Sequence, residues 1–93
     1  MAQSSISRLR DCIRSLNYAV SIHAAEELDD DELTILDLEN IILTGEIIKR
    51  QRDRKTREVK FVIRGHTVGG HHAETIVKIT PLGSLFFITV YRV

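Results

Sequence analysis

At Gly45 the hydrophobic period of the chain changes from 3.6 residues to 2, and this switch restricts the fold more than any other feature. Everything before it has helical spacing. Ser4 or Ser5 caps a first helix, with Ile6, Leu9, Ile13 and Leu16 along one face and Asn17 as its stop. "YAVSI" is a short apolar stretch that crosses into a second helix, "SIHAAEEL", capped by Ser21. The run "DDDE" makes poor helix interior and is expected as a solvated bend. Thr34 then caps a third helix, and Asp37 stands three residues on, where a capping-box carboxylate belongs. Ile35, Leu38 and Ile42 form its buried stripe, and Gly45 is expected to close it in the left-handed conformation.

After Gly45 the alternation is that of strands. "EIIKRQR" is one strand, "DRKT" a turn, and "EVKFVIRGH" a second strand with Val59, Phe61 and Ile63 on one face. Lys60, Arg64 and His66 alternate onto the other face. "TVGGHH" holds a Gly-Gly turn, "AETIVKIT" buries Thr75, Val77 and Ile79, and "PLGS" turns again. "LFFITVYRV" is apolar on both faces, as an interior strand is. The expected fold is α+β: three N-terminal helices packed on one face of a four-stranded, mostly antiparallel sheet. The whole chain, residues 1–93, is one domain, and a chain of that length buries a little over ~60% of its unfolded surface. A hydrophobic share of 43% suits a globular chain rather than a disordered one. No apolar run reaches the roughly 18 residues of a membrane span, and the N-terminus lacks the apolar stretch of a signal peptide. A cytoplasmic protein without membrane partners is expected. Cys12 is the only cysteine, which excludes an internal disulfide and is expected as a half-buried, inert thiol.

The formal net charge is zero, but the charges are not mixed. From Ser21 to Glu46 there are nine acidic residues and no lysine or arginine. From Ile47 to Gly65 there are eight cations against Asp53 and Glu58. A block of that kind is either a solvated hairpin or a surface for phosphates, and Lys49, Arg50, Arg52, Arg54, Lys55, Arg57 and Lys60 are the candidate RNA-binding residues.

The face opposite the helices collects Lys60, Arg64, His66, Glu74, Lys78, Thr89 and Tyr91 if strand alternation holds. Metal-independent RNA cleavage needs a base for the 2′-hydroxyl, an acid for the leaving 5′-oxygen and cations for the developing charge. Arg64, Lys60 and Lys78 supply cations, while His66, Tyr91, Glu74 or a lysine can move protons. The plainer alternative is that these residues are the wet face of an antiparallel sheet. Removing an exposed arginine such as Arg64 is then expected to cost little stability. His66, His71 and His72 fall within seven positions, but neighbours in a strand point to opposite sides, so they are expected as turn histidines and no metal or cofactor is expected. His23, just after the cap Ser21, is expected in a structural hydrogen bond.

"SIHAAEEL", "LTILDLENIILTGEII", "FVIRG" and "FFITVY" together resemble a family of small bacterial proteins known as domain-of-unknown-function family 4258. Its pattern is a Ser or Thr two residues before a His-Ala pair, an acidic helix ending in Gly, and a sheet closing on an Ile-Thr-Val-Tyr-like strand. Many members carry Arg-Met after the His-Ala, where this chain has Glu27-Leu28. The family resembles, distantly, the RelE and MqsR toxins, small α+β ribonucleases that cut messenger RNA. The closing run "VKITPLGSLFFITVYRV" is similar to the end of MqsR-type toxins, and that similarity implies roles for Lys78 and Arg92. It also implies an antitoxin-like protein partner. Two readings stay open: a toxin-like mRNA endonuclease, or a non-enzymatic interaction domain that binds protein or nucleic acid.

Overall fold

A computed structural model describes residues 3–93. The elements run α1 (Ser5–Arg14), β1 (Tyr18–Val20), α2 (Ile22–Asp30), α3 (Ile35–Thr44), β2 (Glu46–Arg52), β3 (Val59–His66), β4 (His72–Ile79) and β5 (Leu85–Arg92). The α+β class fits, but the expected four-stranded antiparallel sheet does not. The sheet has five strands in the order β1-β5-β4-β3-β2, and β1 pairs parallel to β5, so it is mixed.

The additional strand is the "YAV" of the first helical connection. Three residues are too few to show a period of 2, so nothing local distinguishes them from a linker. They become a strand because β5 offers them a partner: Tyr18, Ala19 and Val20 lie against Leu85, Phe86 and Phe87. This also accounts for the two-sided apolar character of β5, which would otherwise be an edge strand in a simple meander.

Beyond Phe87 the edge of β5 is covered by side chains of α2 rather than by backbone. Ser21 Oγ donates to the Ile88 carbonyl at 2.8 Å, and Glu27 Oε1 accepts from the Val90 N–H at 3.1 Å and from the Thr89 hydroxyl. Edge groups are thereby satisfied without another strand.

The three helix caps fall where the sequence places them. Ser4, Ser21 and Thr34 accept from the N–H groups of Ser7, Ala24 and Asp37, and Asp37 completes the capping box. The other oxygen of Asp37 accepts from the Val68 N–H at 2.9 Å, and Asn40 donates to the carbonyls of His66 and Thr67. The start of α3 therefore holds the β3–β4 turn as well as its own first turn. The helix stripes differ in detail from expectation. Leu16 is not part of the α1 face; it takes a left-handed φ of 57° just past the helix end and is exposed. In α3, Ile35 is exposed and Ile41 is fully buried in its place. The helices share one face of the sheet, where Leu9, Leu38, Ile41, Ile42, Ile63 and Phe87 are fully buried.

Gly45 is extended (φ −89°, ψ 174°), not left-handed. Its requirement is space. A Cβ there would lie 2.3 Å from the Ile41 carbonyl oxygen, and a Cβ on Gly65 would lie 2.2 Å from the same atom. The two glycines let the end of α3 touch the start of β2 and the end of β3. Arg10 from α1 closes the same junction by donating to the carbonyls of Ile42 (3.3 Å) and Gly45 (2.9 Å), because α3 has no basic residue in its last turn.

Gly65→Ala should therefore lower the urea unfolding midpoint by the equivalent of roughly 1–3 kcal/mol, because backbone has to move to admit the methyl group. Gly69→Ala, whose Cβ would meet nothing closer than 3.5 Å, is the control and should unfold like wild type. Equal midpoints for the two variants would contradict this packing.

Candidate functional site

The face away from the helices is built by register. Glu46, Arg64, Glu74 and Tyr91 are successive partners across β2, β3, β4 and β5 and so form one row. Within it Glu74 is the centre. Arg64 donates to Glu74 Oε2 through Nε (2.8 Å) and Nη2 (2.5 Å), and Tyr91 Oη donates to Oε1 at 2.6 Å. Glu74 is 7% exposed, and it is covered mainly by these two partners rather than by the core. The Tyr91 hydrogen bond, then the Arg64 bond and charge, hold the Glu74 carboxyl below its ordinary value against a desolvation cost. The same bond from the other side raises the Tyr91 phenol above its ordinary 10.0, with burial adding to it. Glu74 is thus an anion and Tyr91 a protonated phenol at neutral pH.

A second cluster lies at the opposite end of the strands. Lys60 and Lys78 are directly paired, an arrangement that like charges disfavour. Glu58 relieves it: its Oε2 is 2.5 Å from Lys78 Nζ, and that hydrogen bond is the main reason the Glu58 carboxyl is lowered. Lys78 also lies 5.6 Å from the centroid of the Phe86 ring. Lys78 is four residues along β4 from Glu74, or about 13 Å at ~3.3 Å per residue. Val62 and Ile76, a cross-strand pair, fill the interval. Arg64 and Lys78 therefore share the face without sharing a site.

His66 sits on the same face beyond Arg64, opposite His72, and their ring centroids are 4.5 Å apart. Among the described residues no group of three or more His, Cys, Asp or Glu side chains is placed to hold a metal. Arg92 pairs with the buried Ala73 and so belongs to the other side of β5 from Tyr91, apart from Arg64 and Lys78. His23 Nε2 is 3.2 Å from Glu27 Oε1, one helical turn on, and its side chain is largely exposed. Cys12 is buried, with Sγ 3.5 Å from the Gly83 carbonyl oxygen. Glu27 was legible only as part of the acidic block; its position beside Thr89 depends on how α2 docks, which no local signal reports.

The basic hairpin divides between two surfaces. A register shift between Ile47 and Lys49 leaves Lys49 opposite Val62 and Gln51 opposite Lys60, on the open face. Arg50 and Arg52 lie opposite Phe61 and Val59, on the helix side. Arg54 and Lys55 are at the exposed tip, where Asp53 Oδ1 accepts from the N–H groups of Lys55 and Thr56. Among the described residues, Lys49, Arg50, Arg52, Arg54, Lys55, Arg57 and Lys60 form no ion pair, whereas Arg64 and Lys78 each do.

Arg64 is half exposed but not dispensable, since its loss leaves a nearly buried carboxylate with one partner. The expectation of a small stability cost is therefore replaced by one of a large cost. The depressed Glu74 pKa gives a stability contribution that is complete above its ordinary 4.5 and lost as the pH falls through the lower folded value. Unfolding midpoints measured from about pH 5 downward should fall less steeply in Glu74→Gln than in wild type, and a parallel decline would refute the assignment.

Searches of curated proteins and of solved structures found no match in either case. A family model does match, over residues 20–92, which runs from the last residue of β1 through β5 and leaves out α1. By that match the chain belongs to the family described as Domain of unknown function (DUF4258).

Proposed function

We propose that the protein binds single-stranded RNA through its basic hairpin and acts as a toxin-like, metal-independent mRNA endonuclease. The observation that carries this reading is the contrast in pairing: seven hairpin cations have no acidic partner among the described residues, in a chain with as many acids as bases. Cations gathered in one place raise the local positive potential, which attracts an external anion. A strand of phosphates is the anion that such a run matches.

Cleavage in this reading belongs to the row around Glu74. Arg64, half exposed, turns its remaining N–H groups to a phosphate. Tyr91, whose raised pKa keeps it protonated, gives a proton to the leaving 5′-oxygen. His66, two residues from Arg64 on the same face, takes the proton of the 2′-hydroxyl. The products are a 2′,3′-cyclic phosphate and a 5′-hydroxyl. Lys78, about 13 Å away, steers neighbouring phosphates rather than the reacting one. The resemblance to RelE and MqsR toxins adds a protein antitoxin, which would be acidic where it meets the hairpin.

A specific observation favours the second reading, a non-enzymatic binding domain. Arg64 and Lys78 are already neutralised by Glu74 and Glu58, so neither offers a free charge to a phosphorane. Expression without a partner, followed by mapping of RNA ends, separates the two. The endonuclease arrests growth and generates new 5′-hydroxyl ends, and Tyr91→Phe, which also leaves Glu74 with one partner, lowers cleavage by about 100-fold or more in protein whose folding is verified by circular dichroism. Normal growth and intact messages from folded wild type would leave the binding domain as the function.

A further inference from the structure

On the helix side of the sheet, between the first turn of α1 and the β2–β3 hairpin, lies a cleft of about 630 Å³. That volume is within the range of small-ligand sites. Arg8, Arg50, Arg52 and Arg57 line it, and Glu58 is its one acidic residue. Glu58 is already paired with Lys78, so it neutralises none of the four guanidinium groups fully. Between the arginines the lining is apolar, from Val59, Phe61 and Ile79.

The Arg50 side chain and the Arg57 backbone are both fixed before any ligand arrives. Arg50 donates to Ser5 Oγ at 3.0 Å and lies 5.2 Å from the centroid of the Phe61 ring. Arg57 has a left-handed φ of 61°, a strained conformation for a residue with a side chain. The Asp53–Glu58 turn maintains it, through Arg57 N–H to Asp53 O and Asp53 N–H to Glu58 O, both 2.8 Å. A glycine would occupy that position without strain, yet the chain has an arginine there. Four guanidinium groups around one concavity repel each other in the free protein, and an anion set among them removes the repulsion. Guanidinium groups suit phosphate oxygens bidentately, and the apolar lining adds a place for a planar ring or a sugar.

We propose that this cleft seats a nucleotide unit, its phosphate held by Arg8, Arg52 and Arg57 and its base or ribose laid against Val59 and the Arg50 guanidinium, which itself lies over the Phe61 ring. The proposal rests on the RNA reading for the source of that unit, a nucleotide within a single strand, and it separates binding from cutting. The cleft lies on the helix side of the sheet and the Glu74 row on the other, so the two surfaces can be altered independently.

The test is anisotropy titration of a short labelled single-stranded RNA, with adenosine monophosphate and inorganic phosphate followed by amide chemical shifts. Arg57→Gly removes the guanidinium and the backbone strain together. Its melting temperature should match or exceed that of wild type while RNA affinity falls about tenfold. Arg8→Ala, at an exposed site on α1, should lose a similar factor, and each should reduce the salt dependence by roughly 0.7 of a logarithmic slope unit. Arg14→Ala removes one cation elsewhere on α1 and controls for net charge. If wild type binds RNA and both cleft variants bind as Arg14→Ala does, while Lys49→Ala and Lys60→Ala weaken binding, the cleft proposal is overturned and the RNA reading stands. If wild type binds no RNA but adenosine monophosphate shifts the Arg50 and Arg57 amides, and Arg57→Gly abolishes the shift, the nucleotide site stands and the RNA reading falls. Binding of neither overturns the cleft.

Discussion

A last strand that is apolar on both faces cannot be left at the edge of a sheet, and much of this architecture follows from covering β5. Three residues of β1 take the first part of its free edge in parallel. Side chains of Ser21 and Glu27 take the next part. The connection between β1 and β5 then passes through α2, α3, β2, β3 and β4, with α2 beside β5 and α3 across β3. With α1 and α3 filling the same face, the opposite face of the sheet has no helix over it. The surface on which chemistry is proposed is thus a consequence of where the hydrophobic strand had to go.

That uncovered face is not a uniform field of positive charge. Its acids are placed by strand register beside its bases: Glu74 with Arg64 and Tyr91, Glu58 with Lys78. Pairs of this kind orient groups and shift proton affinities, but they lower the net charge offered to a phosphate. Most of the unpaired cations among the described residues lie on and around the β2–β3 hairpin, and half of that hairpin faces the helix side. Charge for holding an anion and proton donors for acting on one are therefore on different surfaces of a small molecule.

Much of this was legible in residues taken one element at a time. Ser4, Ser21 and Thr34 each announce a helix start through a side-chain oxygen followed by an apolar repeat, and β2 begins and ends where "EIIKRQR" does. Alternation alone put Arg64, His66, Glu74, Lys78 and Tyr91 on one face, because a period of 2 leaves no freedom once a strand is granted. Other expectations were overturned for different reasons. Gly45 looked like a left-handed helix stop, but its lack of a side chain serves the contact with Ile41 and Gly65. Leu16 fitted the helical repeat by spacing, yet the helix had already ended at Arg14. Arg92 entered only through the resemblance to MqsR-type toxins, and the alternation places it on the other side of β5 from Tyr91.

The sequence by itself determined the three helices and their N-caps, the four longer strands after them, the α+β class and the separation of acidic and basic halves. These depend on neighbours within a few residues, which is the range over which caps, periods and turn residues act. Only the tertiary structure decided that "YAV" is a strand, that Arg64 and Lys78 are paired rather than free, and that Arg8 joins Arg50, Arg52 and Arg57 around one cleft. Each of those facts joins residues between ten and about seventy positions apart in the chain. A strand partner, an ion pair and a concave surface exist only when such distant residues are brought together, and no local pattern of side chains records which of them will meet.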